Sequence, residues 1–427
     1  MQPLSSFTFA DPKVMQDPYP YYERLRAEDP VHFDEGIRTW LVTRHDDILT
    51  VTRNTEVYSD EMRVSKSIRS PFQAEVDEHM QREGFLVLDP ADSFKLDGEL
   101  HTRRRKLVAH AFTGPNVAAM EARVAGICRD KAAAFLGRAD AGLVSADLVR
   151  EYAMPIPILV ICDALGLPMD NVDEISRGAD SMVAQVGAGA TREVAYEHAR
   201  NVLQLQRFVR QAIEKRRLEP GTDLISQLVH ARLEDSDTPK LTDRELLSIS
   251  LVAVAGGVDT TRNGIAFGLH ALATRRDLLA RLRESQNQDK EVGRFCEETL
   301  RFYSPVPQLP RITTTETVLR GKTIPQGAYV MACWASGNRD SLRFTDPDKF
   351  DMDRTSLNQH LAFGTGVHHC LGALLARQEM KCAIKEIVNN VESLELAVPP
   401  DQLDLSSTMI ILRGLKSLPV RLRTRAG

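Results

Sequence analysis

The 427-residue chain has a formal net charge of −5, with 26% charged and 43% apolar residues, the balance of an ordinary globular protein and a poor footing for a nucleic-acid binder. No apolar run approaches the ~20 residues that span a bilayer, and the start MQPLSSFTFADPK lacks a signal-peptide core, which predicts a soluble cytoplasmic protein with no membrane segment. The six cysteines lie far apart, so reduced thiols are expected rather than a disulfide framework.

Length alone suggests two or three domains, yet Pro, Gly and Ser are scattered and no repeat or low-complexity run divides the chain. A single large, mostly helical domain over 1–427 is the expectation. DPYPYYERLRAE at 17–28 reads as a helix launched after Pro20, and Thr39, Trp40, Leu41, Val42 and Thr43 as a short strand. Residues 58–100 read as irregular, mixing Glu75, Asp77 and Glu78 with isolated Phe72, Met80, Phe85, Leu86 and Val87. Such segments are lids, binding loops or solvated surface. In HTRRRKLVAHAF at 101–112, His101 and Arg105 are four apart, the spacing that shares one face of a helix. Arg103, Arg104 and Lys106 then fall elsewhere on the surface, solvated or open to an acidic partner. Residues 117–230 keep helical periodicity except at 187–190, GAGA, which breaks a helix into a connection.

Thr242 and Glu245 form a capping box that starts a helix running to about Arg275. At ~1.5 Å per residue it is on the order of 50 Å long. Its middle, AGGVDTT at 255–261, places Gly256, Gly257, Asp259 and Thr260 in an apolar helix, where each glycine costs roughly 1 kcal/mol against alanine. That local cost points to another demand on the space. The Thr260 hydroxyl can compete for the Gly256 carbonyl and open a groove; the alternative is a kink with Asp259 in a structural ion pair. In CEETLRFYSP at 296–305, Glu298 and Arg301 are an i, i+3 pair, which on a surface is worth only a few tenths of a kcal/mol.

FGTGVHHCLG at 363–372 runs into ALLARQEMKCAIKEIV and reads as a glycine-bent loop presenting Cys370 at the start of a helix. Gly364 and Gly366 can take positive φ, and the helix N-terminus adds partial positive charge that favours thiolate. A thiolate beside an apolar cover, Phe363, suits a haem iron as axial ligand, and Gly372 leaves room for a flat macrocycle. Zinc held by His368, His369 and Cys370 competes with this reading, but no C-x-x-C pair occurs and adjacent histidines point apart. An ordinary buried cysteine is the other competitor. The closing TMIILRGLKSLPVRL is strand-like.

The pattern Phe-Gly-x-Gly-x-His-x-Cys-x-Gly, matched at all six specified positions, resembles the haem-ligand loop of the cytochrome P-450 haem-thiolate monooxygenases. The resemblance spans nearly the whole chain. It implies the cytochrome P-450 fold, mainly α with small β-sheets (α+β), as a single large haem domain with a long central helix. It implies haem b (iron protoporphyrin IX), with Cys370 as the metal ligand, Phe363 and Gly364 beside the group, and His101, Arg105, Arg311 and His368 on its propionates. Asp259 and Thr260 match the family's acid–alcohol pair that delivers protons for oxygen activation. Glu298 and Arg301, with Arg354 from FTDPDKFDMDR, match a buried triad behind the haem loop. Val254, Ala255, Gly256, Val306, Ile411 and Leu412 match positions of the substrate pocket, with ordinary core as the alternative for the last two. By the same resemblance, 58–100 roofs the pocket, 187–190 lies in a loop over its entrance, and Arg377 and Lys381 join Arg103 and Arg104 in a docking face. The implied activity is insertion of one atom of O₂ into an apolar small organic substrate by a soluble monomer. Two electrons then come from a ferredoxin and its NAD(P)H-dependent reductase, since the chain has no room for a flavin or iron–sulfur domain. The alternatives are a peroxide-driven haem-thiolate enzyme, which has no need of Asp259 and Thr260, and a non-catalytic haem-thiolate ligand sensor.

Overall fold

The computed structural model describes residues 3–61, 72–88, 92–94, 96–184, 191–234, 237–405 and 410–425. The expected break at 187–190 lies outside the described residues, as do parts of 58–100. Helices dominate, and the strands are short: β1 (Val31–Asp34), β2 (Thr39–Val42), β3 (Tyr58–Ser59), β4 (Leu143–Asp147), β5 (Leu309–Thr313), β6 (Thr317–Leu319), β7 (Lys322–Ile324), β8 (Tyr329–Ala332), β9 (Val391–Leu396) and β10 (Pro419–Thr424). This is the mainly helical, small-sheet architecture the sequence predicts.

The chain divides into two compact units, Met1–Ser59 with Glu121–Ile156 and Thr260–Gly427, and Asp60–Met120 with Pro157–Asp259. All the strands named above belong to the first. Its five-stranded sheet has the order β1-β2-β8-β5-β3, with β2 and β8 parallel and the other pairs antiparallel. Val31, Val42, Ile48, Val330, Trp334 and Leu361 form its apolar core, a face of β-branched and aromatic residues that suits a pleated, half-buried surface. Behind the site, the helix Ala373–Asn390 lies against the last turns of the helix Asp243–Thr274. Two glycines four apart permit that approach: a Cβ at Gly264 would stand 2.9 Å from Met380 Sδ, and one at Gly268 2.9 Å from Ile384 Cδ1. Nothing in their local sequence announces this role.

In the second unit the irregular reading of 58–100 is corrected. Gln73–Arg82 is a helix whose Val76 and Met80 pack with Ala195, Ala199 and Val202 of the helix Arg192–Leu218. Its apolar stripe is only two residues wide, too little to stand out as periodicity. The basic segment is also helical from Gly98 to Ala109, starting three residues before His101.

Candidate active site

Cys370 is the one exposed cysteine of the six; Cys128, Cys162, Cys296, Cys333 and Cys382 are buried. Burial pushes the Cys162 thiol up to about 12 and the Cys382 thiol up to about 11. It raises those of Cys128, Cys296 and Cys333 as well. Buried thiols of this kind are inert, which leaves Cys370 as the accessible sulfur.

The loop that carries it is stapled by its own backbone. Gly364 N–H donates to Leu361 O at 2.9 Å, Cys370 N–H to Phe363 O at 2.9 Å, and His369 N–H to Gly366 O at 3.1 Å. Gly364 and Gly366 have φ of +68° and +72°, as expected of the two bends. Both are also crowded, since a Cβ at Gly364 would stand 3.2 Å from Trp334 Cζ2 and one at Gly366 2.9 Å from the Thr52 carbonyl oxygen. Gly372 differs: a Cβ there would meet only Cys370 Sγ, at 4.0 Å. Among the described residues no atom demands a glycine at that position, and the space it leaves lies on the thiol's side of the loop. His368 is half-buried and His369 exposed.

The helix Gln288–Tyr303 carries two neighbouring acids, Glu297 and Glu298, and the first of them reaches residues on both sides of this loop. Glu298 and Arg301, both fully buried, are joined by two bonds of 2.7 Å, and Arg354 Nε donates to Glu298 Oε1 at 3.2 Å. The guanidiniums are then used up on carbonyls: Arg301 reaches Asn338 O and Pro347 O at 2.8 Å, and Arg354 reaches Asp346 O at 2.5 Å. A buried triad of this kind adds little net stability but resists the loss of any one member. Glu297, which sequence reasoning missed, faces the loop itself. Arg377 donates to it at 2.7 and 3.0 Å, and His360 Nε2 lies 2.9 Å from its Oε2. Because Ala362 N–H donates to His360 Nδ1 at 3.2 Å, the ring's proton sits on Nε2 and points at Glu297. Burial alone raises the Glu297 carboxyl, but the His360 and Arg377 bonds outweigh it and hold the group down to about 2. Arg377 also lies 4.3 Å from the Phe363 ring centre, so one acid ties the residues before the bend to those after it. The sequence offered only a second glutamate beside Glu298 as a hint.

Arg311, buried on β5, donates from Nη1 to Pro310 O at 2.9 Å. Val306 packs partly against the sheet core, and Ile411 and Leu412 are half-buried. In the other unit, His101 is buried edge-on to Phe94 and Arg105 stands 5.9 Å from the same ring, so the expected shared face exists. The helix Asp243–Thr274 is continuous through 255–261, so the expected opening at Gly256 does not interrupt it. The capping box is present, with Thr242 N–H donating to Glu245 Oε2 at 2.8 Å and Glu245 N–H to Thr242 Oγ1 at 3.2 Å. Gly256 is exposed, Ala255, Asp259 and Thr260 are half-buried, and a Cβ on Gly256 would meet nothing within 4 Å.

Two expectations are corrected. Val254 is fully buried, whereas Val252 is 39% exposed; at 100° per residue, 252, 256 and 260 share a face that 254 turns away from. Arg104 is not on the surface: it is 5% exposed, with bonds to Glu245 Oε1 at 2.7 Å and Ser93 O at 2.9 Å. Arg103 joins it on Glu245 at 2.9 Å, leaving Lys106 as the exposed cation of the run. Arg377 is likewise held by Glu297, while Lys381 and Lys385 share Asp289 at 3.5 and 2.6 Å.

An accessible thiol on a rigid, glycine-bent loop at the head of a helix, backed by a buried Glu–Arg–Arg cluster, defines a haem-thiolate protein. The chain belongs to the cytochrome P450 family, whose model, "Cytochrome P450", matches residues 72–416. It is 32% identical to Cytochrome P450 109 of Bacillus spizizenii over 95% of this chain and 92% of that one. It is 34% identical to the cytochrome P450 monooxygenase PikC of Streptomyces venezuelae over 95% of this chain and 91% of that one. Among solved structures, CYP109Q5 from Chondromyces apiculatus superposes with a TM-score of 0.82 at 26% identity, covering 99% of each chain. The protein is an oxidoreductase of the class that incorporates O₂, and its cofactor is haem b. The donor set fits that group: one accessible sulfur, and a glycine beside it where nothing in the protein requires one. Among the described residues, no helix is long and apolar enough to cross a membrane.

Proposed function

We propose that the enzyme inserts one oxygen atom of O₂ into an apolar small organic substrate, using two electrons from a ferredoxin and its NAD(P)H-dependent reductase. In this reading the whole chain serves as one haem domain, working as a cytoplasmic monomer. The observation that carries it is Cys370, accessible on a backbone that cannot rearrange because its bends are glycines packed against Thr52 and Trp334. When bound, the haem supplies the iron at which dioxygen is reduced.

The rest is work for the chain's own side chains. Cys370 Sγ would hold the iron as thiolate, with Phe363 and Gly364 beside it, on a loop flanked by the Glu297 bonds and supported by the cluster of Glu298, Arg301 and Arg354. His101, Arg105, Arg311 and His368 would hold the haem propionates by charge-assisted bonds, the strongest kind available to them. The Thr260 hydroxyl would hold the proton that the reaction consumes, and the Asp259 carboxylate would relay its replacement from water. Both lie on a helix face left open at Gly256. Ala255, Gly256, Val306, Ile411 and Leu412 line the substrate's space and exclude water from it. The acid–alcohol pair favours this reading over a peroxide-driven enzyme or a ligand sensor, neither of which has a use for it.

The purified, reduced protein treated with carbon monoxide is expected to show the red-shifted Soret band of sulfur ligation, and Cys370→His to lose it. A parent adduct without that shift overturns the assignment. Thr260→Ala is expected to keep its haem and the same spectrum while diverting NAD(P)H oxidation to hydrogen peroxide. An unchanged ratio of product to NAD(P)H would remove Thr260 from the proton path.

A further inference from the structure

In the first unit, a cavity of about 450 Å³ opens among the helix Tyr19–Glu28, the end of the helix Gln288–Tyr303, residues 400–405 and Arg413. Tyr19, Pro20, Phe302, Pro400 and Leu403 make its apolar walls. Arg413 lines it while only 6% exposed, and its Nε and Nη1 are buried with no hydrogen-bond partner among the described residues. Its backbone N–H donates to Pro305 O at 2.9 Å. Its guanidinium lies 5.2 Å from the centre of the Tyr19 ring and 5.4 Å from that of Phe267.

The neighbouring arginine shows what is missing. Arg339 stands 3.5 Å over Tyr19 and 4.1 Å over Phe302, but it also has Asp348 at 3.0 Å and the Phe302 carbonyl at 2.9 Å. Arg413 has the aromatic contacts without the acceptors. A guanidinium cannot shed its proton to escape burial, and ring contacts recover only part of the cost of removing it from water. An anion entering the cavity supplies the remainder.

The rim restricts which anion. Asp17, Glu23, Asp348 and Asp401 all line the cavity and all are exposed; Arg339 lines it too but is taken up by Asp348, so a dianion meets three further carboxylates on its way to Arg413. A monoanion with an apolar body meets less repulsion, reaches the guanidinium and covers the aromatic and proline walls. We propose that this cavity is a binding site for an aryl-alkyl monocarboxylate, whose carboxylate accepts from Arg413 and whose ring packs against Tyr19, Phe302 and Pro400. It is separate from the Cys370 loop, and its occupancy does not depend on the reaction assigned there.

The probe is 3-phenylpropionate, titrated calorimetrically into the haem-loaded protein with the Soret band followed in parallel. One site is expected, bound at least tenfold more weakly by the neutral 3-phenylpropanamide, at least tenfold weakened in Arg413→Met and partly retained in Arg413→Lys. Asp401→Asn is expected to tighten binding two- to threefold at low salt. The proposal is overturned if no heat of binding appears, if parent protein binds acid and amide equally, or if Arg413→Met binds as well as parent. Undiminished binding in that variant with a Soret shift would assign the ligand to the haem side. Should Arg413→Met fail to fold, the acid–amide comparison in the parent decides alone.

Discussion

At Gly366 two constraints coincide, a φ of +72° and a carbonyl oxygen 2.9 Å from where a Cβ would sit. A non-glycine residue held in that region costs about 1–3 kcal/mol, and a backbone oxygen cannot swing aside as a side chain can. Gly366→Ala is therefore expected to lower the melting temperature and the haem content together. Gly372→Ala, whose Cβ meets only Cys370 Sγ at 4.0 Å, is expected to leave the melting of the haem-free protein unchanged and to alter haem loading alone. Circular dichroism melts and haem-to-protein ratios separate the two, and equal melting of Gly366→Ala and parent would sink the argument. These glycines were legible because a positive φ is a local demand that a few neighbouring residues reveal. Val254 was misread because assigning a face on a long helix needs a phase, and an apolar stretch such as ISLVAVA supplies none.

Elements that carry their own signals were found, and their partners were not. The capping box at Thr242 lies within four residues and is present as expected. Glu245 also binds Arg103 and Arg104, which stand 142 and 141 residues away in sequence, and no local pattern announces a contact at that distance. The same holds for Glu297 with His360 and Arg377, and for Gly264 and Gly268 beneath Met380 and Ile384. The consequence for Arg104 is a change in what its mutation reads. Arg104→Glu removes the buried bonds to Glu245 and Ser93 and sets a second carboxylate against Glu245; breaking a buried pair in this way costs roughly 3–5 kcal/mol. A large loss of thermal stability at any ionic strength is expected. If Arg104 instead served partner docking, the variant would melt like the parent and differ only in a salt-dependent rate of haem reduction. Lys106→Glu, on the exposed side of the same helix, is the variant that tests docking.

Over the whole molecule, buried titrating groups set how stability follows pH, and they do not all pull one way. Burial holds the His270 imidazole down to about 4, helped by the charges of Arg275 and Arg413. Its Nδ1 lies 3.0 Å from the Tyr303 hydroxyl, and Arg275 donates to that same oxygen at 3.1 Å. The hydroxyl's own proton is therefore free to point at the imidazole, which accepts it in the neutral form. Between pH ~6.5 and about 4 the unfolded chain binds a proton here that the folded one refuses, so stability falls as pH falls through that window. The depression corresponds to a loss on the order of 3 kcal/mol once both states are protonated. Glu297 has the same sign lower down: its bonds to His360 and Arg377 are lost as pH falls from the ordinary carboxylate range toward about 2. Glu379, buried with its carboxyl raised well above the usual range, opposes both. It favours the folded state in acid, and this contribution is lost as pH rises above the ordinary carboxylate value. Acid is thus expected to act in two stages, an upper one in which His270 and Glu379 oppose each other and a lower one carried by Glu297. His270→Gln should remove the imidazole's share of the fall in the urea midpoint between pH ~6.5 and 4, leaving the opposite slope of Glu379 there and the loss below it unchanged; Glu297→Gln should keep the upper window as in the parent and soften the loss below it. Midpoints measured by circular dichroism at half-unit pH steps decide the matter, and a His270→Gln curve parallel to the parent's through the upper window would show that this imidazole does not govern the first stage.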